Sequence, residues 1–193
     1  MTRDFILGLF RETEALLEGH FILTSGLHSD RYFQCGRVLQ YPWHAETLCR
    51  DLAARLPDGR FDAVVSPAVG GILVGQEIAR ALRVRSMFTE RQDGRMTLRR
   101  GFAIRSGESV LVAEDVTTTG GSVMEVIEAV QAAGGRPAAV AAIVDRSGGK
   151  AAALFGLPYT SLLQMDVQTH PPEDCPMCKA GGQAVKPGSR GLK

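Results

Sequence analysis

The residues best placed to do chemistry together run from Glu114 to Ser122, Glu-Asp-Val-Thr-Thr-Thr-Gly-Gly-Ser. Two adjacent carboxylates, Glu114 and Asp115, end the apolar run Val110-Leu111-Val112-Ala113. Val116 follows, then the small or hydroxyl-bearing residues Thr117, Thr118, Thr119, Gly120, Gly121 and Ser122, where a helical pattern opens. Successive backbone N–H groups in such a loop converge into an anion-binding concavity, and a helix N-terminus adds a favourable dipole. Thr and Ser hydroxyls donate to the same oxygens, and glycine lets the backbone approach closely. Carboxylates repel a phosphate but suit a neighbouring group rich in hydroxyls. An acid pair followed by an anion cradle therefore reads as recognition of a ribose that carries a 5-phosphate. A Walker A loop would need Gly-Lys-Ser/Thr, and a dinucleotide fingerprint would need Gly-x-Gly-x-x-Gly with its acid after the loop; neither is present. A plain strand end with a Thr-rich cap would not need two acids.

Two other stretches carry reactive groups. Residues 90–101, Glu-Arg-Gln-Asp-Gly-Arg-Met-Thr-Leu-Arg-Arg-Gly, are polar and basic. Alone they read as a solvated hairpin, although guanidinium groups also suit a pyrophosphate through bidentate charge-assisted bonds. Cys175-Pro176-Met177-Cys178 is an isolated Cys-x-x-Cys in a polar tail. A closed zinc site needs four ligands and only half a set is visible, so two tail thiols without a catalytic role are the expectation, with zinc shared across a dimer as the sharper alternative. Cys35 and Cys49 are expected as reduced thiols. His20, His28, His44 and His170 are left without a role.

The elements that must position these groups follow from periodicity. Apolar residues at helical spacing predict a helix over 3–18, with Gly19 as its stop. Thr24-Ser25-Gly26 reads as a turn and Tyr32 to Cys35 as a short strand; Pro42 opens a helix that reaches Leu56. Strands are then predicted over 61–65, 85–88, 109–113, 137–144 and 159–164, alternating with helices over 72–82, 122–133 and 148–155. From Pro171 on, the Pro- and Gly-rich tail reads as loop. This alternation implies an α/β fold, a central mostly parallel sheet flanked by helices, with ligands outside the carboxyl ends of its strands.

With 193 residues the chain fits one domain with a sizeable core, and 45% hydrophobic content is that of an ordinary globular protein. A net charge of +1, with no helix-turn-helix and no strongly basic face, argues against nucleic acid as a partner. No apolar run is long enough to span a bilayer and no signal-peptide pattern opens the sequence, so no membrane partner and a cytoplasmic location are expected.

The segment Glu114 to Ser122 resembles the signature of the type I phosphoribosyltransferases, which use 5-phosphoribosyl 1-pyrophosphate (PRPP). More narrowly, the chain is similar to the orotate phosphoribosyltransferases. Phe21 to Phe33 (Phe-Ile-Leu-Thr-Ser-Gly-Leu-His-Ser-Asp-Arg-Tyr-Phe), Ser66-Pro67-Ala68-Val69-Gly70-Gly71, the signature itself and Val144-Asp145-Arg146 occur in that family's order over nearly the full length. The Thr-Ser-Gly segment is what singles out orotate.

The resemblance implies a single domain over 1–193, with an N-terminal base-binding hood over about 1–40, a core over about 41–165 and a tail over 166–193. It implies PRPP binding by Glu114, Asp115, Val116, Thr117, Thr118, Thr119, Gly120, Gly121 and Ser122, with Arg91 and Arg95 on the pyrophosphate. It implies orotate binding by Thr118, Arg146, Tyr32 and Phe33, and a pyrophosphate loop of Ala68, Val69, Gly70 and Gly71. Arg95 and Asp115 are the catalytic candidates. Mg2+ would arrive on PRPP near Glu114 and Asp115, with no dedicated protein ligands. Residues 90–101 match a closing loop that serves the neighbouring active site of a homodimer. Gln92, Arg95 and Thr97 stand where the best-known pattern has lysine, lysine and histidine, Gly70 and Thr24 where lysine is common, and the loop's proton donor is left unassigned. Transfer to a purine base, or PRPP sensing without catalysis, are the alternative functions.

Overall fold

In the computed structural model, which describes residues 1–23 and 25–187, Thr2 opens the first helix, α1 (Arg3–Glu12), its hydroxyl accepting from the Phe5 N–H at 3.3 Å. Ile6, Leu9 and Phe10 form its buried stripe. The helix ends six residues earlier than periodicity predicts, because the apolar residues from Ala15 on serve a strand. That strand, β1 (Leu16–Ile22), pairs antiparallel with β2 (His28–Phe33). Gly19, expected as a helix stop, lies inside β1, where one extra residue between Glu18 and Phe21 shifts the register. A glycine within a strand commonly marks such a bulge. A single turn, α2 (Gly36–Leu39), leads to α3 (Pro42–Ala54), which has Pro42 in its first turn as expected.

Strand and helix then alternate as β3 (Ala63–Pro67), α4 (Gly71–Leu82), β4 (Arg85–Gln92), β5 (Arg95–Leu98), β6 (Ser109–Thr117), α5 (Gly121–Ala132), β7 (Arg136–Asp145), α6 (Ala152–Phe155) and β8 (Tyr159–Gln164). The sheet order is β5-β4-β3-β6-β7-β8, parallel throughout except for the antiparallel edge strand β5. Val64, Leu111 and Ala141 pack on one face with Leu48, Val74 and Ile78. Val65, Val112 and Val140 pack on the other with Val123, Val126 and Phe155. Burial on both faces is why these strands read as nearly unbroken apolar runs. The carboxyl ends of β3, β6 and β7 therefore lie side by side, carrying Pro67, Thr117 and Asp145.

Residues 1–40 divide between the main core and a second sheet. Helix α1 belongs to the main core through Ile6 and Phe10, which cluster with Leu48 and Leu163. A separate three-stranded sheet, β1-β2-β9, makes the hood, and its third strand, β9 (Thr169–His170), comes from the tail. The tail is more ordered than a loop. It continues through a 3-10 turn (Pro172–Asp174) and the short helix α7 (Pro176–Lys179), each with proline in its first turn, where the missing N–H costs nothing. Val185 then runs beside β1, accepting from the Ile22 N–H at 2.8 Å and donating to the His20 carbonyl at 2.9 Å. Among the described residues no helix is long and apolar enough to cross a membrane.

Candidate active site

Strand β6 runs past the acid pair rather than ending before it, so Glu114 and Asp115 hold ladder positions and their side chains diverge. Glu114 is buried, whereas Asp115 is half-buried and lines a wide cavity described below. Burial pushes the Glu114 carboxyl well above the usual carboxylate range, and the charge of Asp115 adds to that rise. Each carboxylate also accepts from the next backbone amide: Glu114 Oε1 from Asp115 N–H, and Asp115 Oδ1 from Val116 N–H, both at 2.9 Å. Asp115 is thus the more accessible acid and Glu114 the shielded one behind it.

The loop that follows is a phosphate cradle in form. Gly120 has φ 79°, and a Cβ there would lie 2.9 Å from the Phe155 ring, so both conformation and packing require glycine. Among the described residues, no hydrogen bond is donated by the N–H of Thr118, Thr119 or Gly120. Together with the first turn of α5 these amides surround a cavity of about 50 Å3 lined by Glu114 and residues 116–123. Unpaired amides at a helix start are the donors an anion needs.

Beside it opens a cavity of about 570 Å3, a size suited to a small ligand. Tyr32, Phe33, Leu23, Ser25 and Leu27 come from the hood, Asp115, Val116, Thr118 and Thr119 from the sheet end, Arg146 from just beyond β7, and Val167 and Thr169 from the tail. Phe33 is buried against Phe10, and Tyr32 is partly exposed beside Phe21. Alternation along a strand sends the two to different sides, yet both reach the cavity wall. The Arg146 backbone is fixed by its N–H donating to Thr117 O at 2.8 Å. Its guanidinium has no carboxylate within 4 Å among the described residues, and its Nε is buried without a partner. Burial lowers its pKa, but an arginine remains charged. A shielded cation without a counter-ion, facing a cavity, calls for an anionic ligand.

The turn from β3 to α4 carries Ala68, Val69, Gly70 and Gly71, with the Ala68–Val69 peptide cis and Val69 exposed. It lies against the acid pair: a Cβ at Gly70 would sit 2.7 Å from Asp115 Oδ2, and one at Gly71 3.2 Å from Glu114 Oε1. The turn and the cradle therefore flank Asp115. Thr24 lies outside the described residues.

Comparison with known proteins gives the family. A phosphoribosyl transferase domain model matches residues 43–157. An orotate phosphoribosyltransferase of Heliobacterium modesticaldum is 59% identical over 98% of this chain and 100% of its own length. The chain belongs to the orotate phosphoribosyltransferase family. A crystal structure of the Mycobacterium tuberculosis orotate phosphoribosyltransferase in complex with inorganic phosphate superposes with TM-score 0.66 at 28% identity, covering 84% of this chain and 95% of that one. An adenine phosphoribosyltransferase of Thermoanaerobacter pseudethanolicus shares the fold, with TM-score 0.67 at 17% identity over 81% of this chain and 99% of that one.

The basic stretch of this orotate phosphoribosyltransferase family member is a β-hairpin. Asp93 and Gly94, at φ 49° and 82°, form the tight turn between β4 and β5 that Asp-Gly favours. Arg91 pairs with Glu125 on α5 at 2.9 Å and donates to Gly94 O at 2.6 Å; Arg100 pairs with Glu90 at 2.8 Å. Arg95 is exposed and has no carboxylate within 4 Å among the described residues. Neither Arg91 nor Arg95 lines the cavity that holds Asp115 and Arg146 in the same chain. The structure thus gathers the acid pair, the cradle, the β3–α4 turn, Tyr32, Phe33 and Arg146, and leaves the hairpin arginines at the sheet edge.

Asp145 has a task that the sequence alone does not reveal. Fully buried at the end of β7, Asp145 accepts from Ser147 N–H (2.8 Å), Ser147 Oγ (2.6 Å) and Gly149 N–H (3.0 Å). It fixes the backbone on the far side of Arg146. An acid ending a buried strand just before an arginine and a Ser-Gly-Gly turn was the available signal.

Proposed function

We infer that this chain transfers the 5-phosphoribosyl group of PRPP to orotate, releasing pyrophosphate and forming orotidine 5-phosphate in pyrimidine biosynthesis. The observation that carries the reading is the placement of Arg146: an unpaired, shielded cation across one cavity from Asp115 and Thr118. An anionic planar base between Arg146 and the hood aromatics sits beside a ribose whose hydroxyls meet Asp115 and whose 5-phosphate meets the amides of Thr118 to Ser122. The β3–α4 turn, on the other side of Asp115, is the place for the pyrophosphate.

The chemistry needs no protein nucleophile. A base nitrogen attacks the anomeric carbon as the bond to pyrophosphate breaks, and the ribose acquires oxocarbenium character. The residues act by positioning both reactants and by stabilising charge. Asp115, the half-buried carboxylate, lies where developing positive charge on the ribose is favoured. Glu114, whose carboxyl burial pushes above the usual carboxylate range, accepts from the Asp115 amide and steadies it from behind. Arg95, free at the tip of the hairpin, is the clamp for departing pyrophosphate.

Mg2+ fits as a group that PRPP brings. The half-buried carboxylate of Asp115 is a hard oxygen donor, packed so closely on Gly70 that a Cβ there would lie 2.7 Å from Oδ2. Asp115, with Glu114 behind it, would face the ion, which would neutralise charge on the leaving pyrophosphate. A cytoplasmic homodimer in which the 90–101 hairpin reaches the partner's cavity accounts for the distance of Arg95 from Asp115 within one chain.

Pyrophosphate release from PRPP should require both orotate and Mg2+, and adenine or guanine should neither replace orotate nor compete with it. Turnover with a purine base, or PRPP binding without any turnover, would overturn the assignment.

A further inference from the structure

The Cys-x-x-Cys of the tail and two hood histidines form a cluster that the transfer chemistry does not use. His20 lies in β1 at its bulge, and His28 opens β2, while Cys175 caps α7 and Cys178 lies within it. One ligand-capable atom from each of the four falls within 4.8 Å of all the others. His20 Nε2 is 2.9 Å from His28 Nδ1, 3.4 Å from Cys175 Sγ and 3.6 Å from Cys178 Sγ, and Cys178 Sγ is 3.2 Å from His28 Nδ1. Cys175 and His28 are buried.

Hydrogen bonds alone do not account for this convergence. The other ring nitrogen of His20, Nδ1, is 3.1 Å from Gly182 O, a partner that only accepts; in the neutral tautomer that donates to it, Nε2 offers a single lone pair. Three polar atoms approach that one lone pair. A cation at the centre would satisfy all four groups at once. Zinc–nitrogen bonds of about 2.0–2.1 Å and zinc–sulfur bonds of about 2.3 Å put tetrahedral ligand atoms roughly 3.3–3.8 Å apart, close to the spacing seen. The Gly182 carbonyl is the kind of outer contact that orients a metal-binding imidazole.

We propose that His20, His28, Cys175 and Cys178 bind one zinc ion in a closed, structural site within a single chain. Two nitrogens and two sulfurs in a tetrahedral set select zinc, and four protein ligands leave no open position for catalysis. The site fastens the tail to the β1–β2 hairpin that supplies Leu23, Ser25 and Tyr32 to the base cavity. Losing the ion therefore loosens the wall of that cavity without touching Asp115 or the phosphate cradle.

The test is metal analysis of the full chain, purified without a histidine tag or chelator. About one zinc per chain is expected, with Co2+ replacement giving the intense visible bands of tetrahedral thiolate coordination. Cys178→Ser should lose the zinc while His170→Ala, next to the cluster in β9, should keep it. Should Cys178→Ser fail to fold, wild-type protein stripped by a strong chelator serves instead: its melting temperature should fall and recover with Zn2+ but not with Mg2+. The proposal is overturned if the protein carries less than about a tenth of an equivalent and takes up none from micromolar Zn2+, if wild type and Cys178→Ser carry equal amounts, or if mass analysis shows a Cys175–Cys178 disulfide in freshly purified protein.

Discussion

The guanidinium carbon of Arg146 lies 5.8 Å from the centroid of the Phe33 ring. Phe33 is anchored edge-on against Phe10, which is fully buried in the main core. The cation that faces the 570 Å3 cavity therefore rests on an aromatic ring tied, through α1, to the center of the molecule. Asp145 braces the following turn, so Arg146 is held on two sides before any ligand arrives.

Replacing Arg146 with alanine should raise the KM for orotate about 10- to 100-fold, the effect of losing a charge-assisted bond worth about 1.5–3 kcal/mol. The KM for PRPP should change little. Arg146→Lys should not restore binding, because an ammonium lacks the planar fork and stacks poorly on Phe33. Steady-state kinetics with each substrate varied in turn checks this; equal rises in both KM values would refute it.

The acid pair should divide its labours. Asp115→Asn should cut turnover by about 100-fold or more if the more accessible carboxylate faces developing charge. Glu114 should speak through stability. Because burial raises its pKa in the folded chain above the ordinary 4.5, folding is favoured while the group is protonated. That contribution is complete below 4.5 and is lost as pH rises toward the folded-state pKa. Glu114→Gln removes the loss. Its melting temperature relative to wild type should climb as pH rises above 4.5, each kcal/mol appearing as about 2–4 °C. A difference independent of pH in thermal scans would show that Glu114 does not titrate in this way.

The hairpin permits a test of assembly. Arg95→Ala should leave the melting temperature unchanged, since the side chain is exposed and unpaired, and should lower kcat. If Arg95 serves the cavity of a second copy, mixing Arg95→Ala with Asp115→Asn under subunit exchange should restore activity to about a quarter of wild type, because about half the dimers are mixed and each of these holds one intact site of two. Mixtures no more active than their parts would place Arg95 within its own chain's site, or outside catalysis.

The cradle was readable because its parts are contiguous: one strand end, one loop and one helix start within nine residues. The sheet was readable because strands such as Val110 to Ala113 are buried on both faces and carry no polar interruption. The hood was not. Gly19 looks like a helix terminator in isolation and becomes a bulge only when β2 is paired beside it. The His-Cys cluster was half visible for a similar reason, since its ligands come from three separated segments and no local spacing joins Cys175 to His20. The pairing of Arg91 with Glu125 depends on how the β4–β5 hairpin lies against α5, which periodicity does not encode.

The crossing of residues 169–185 over β1 and β2 also has a consequence for biosynthesis. Partners such as His20 and Cys175 are 155 positions apart in the chain. During translation the sheet and its phosphate loop can condense from near neighbours, whereas the base-binding wall must wait until the segment that closes it leaves the ribosome. Long-range closure of this kind is slow. A nascent chain arrested before Thr169 should already grip a phosphorylated sugar while remaining indifferent to the pyrimidine.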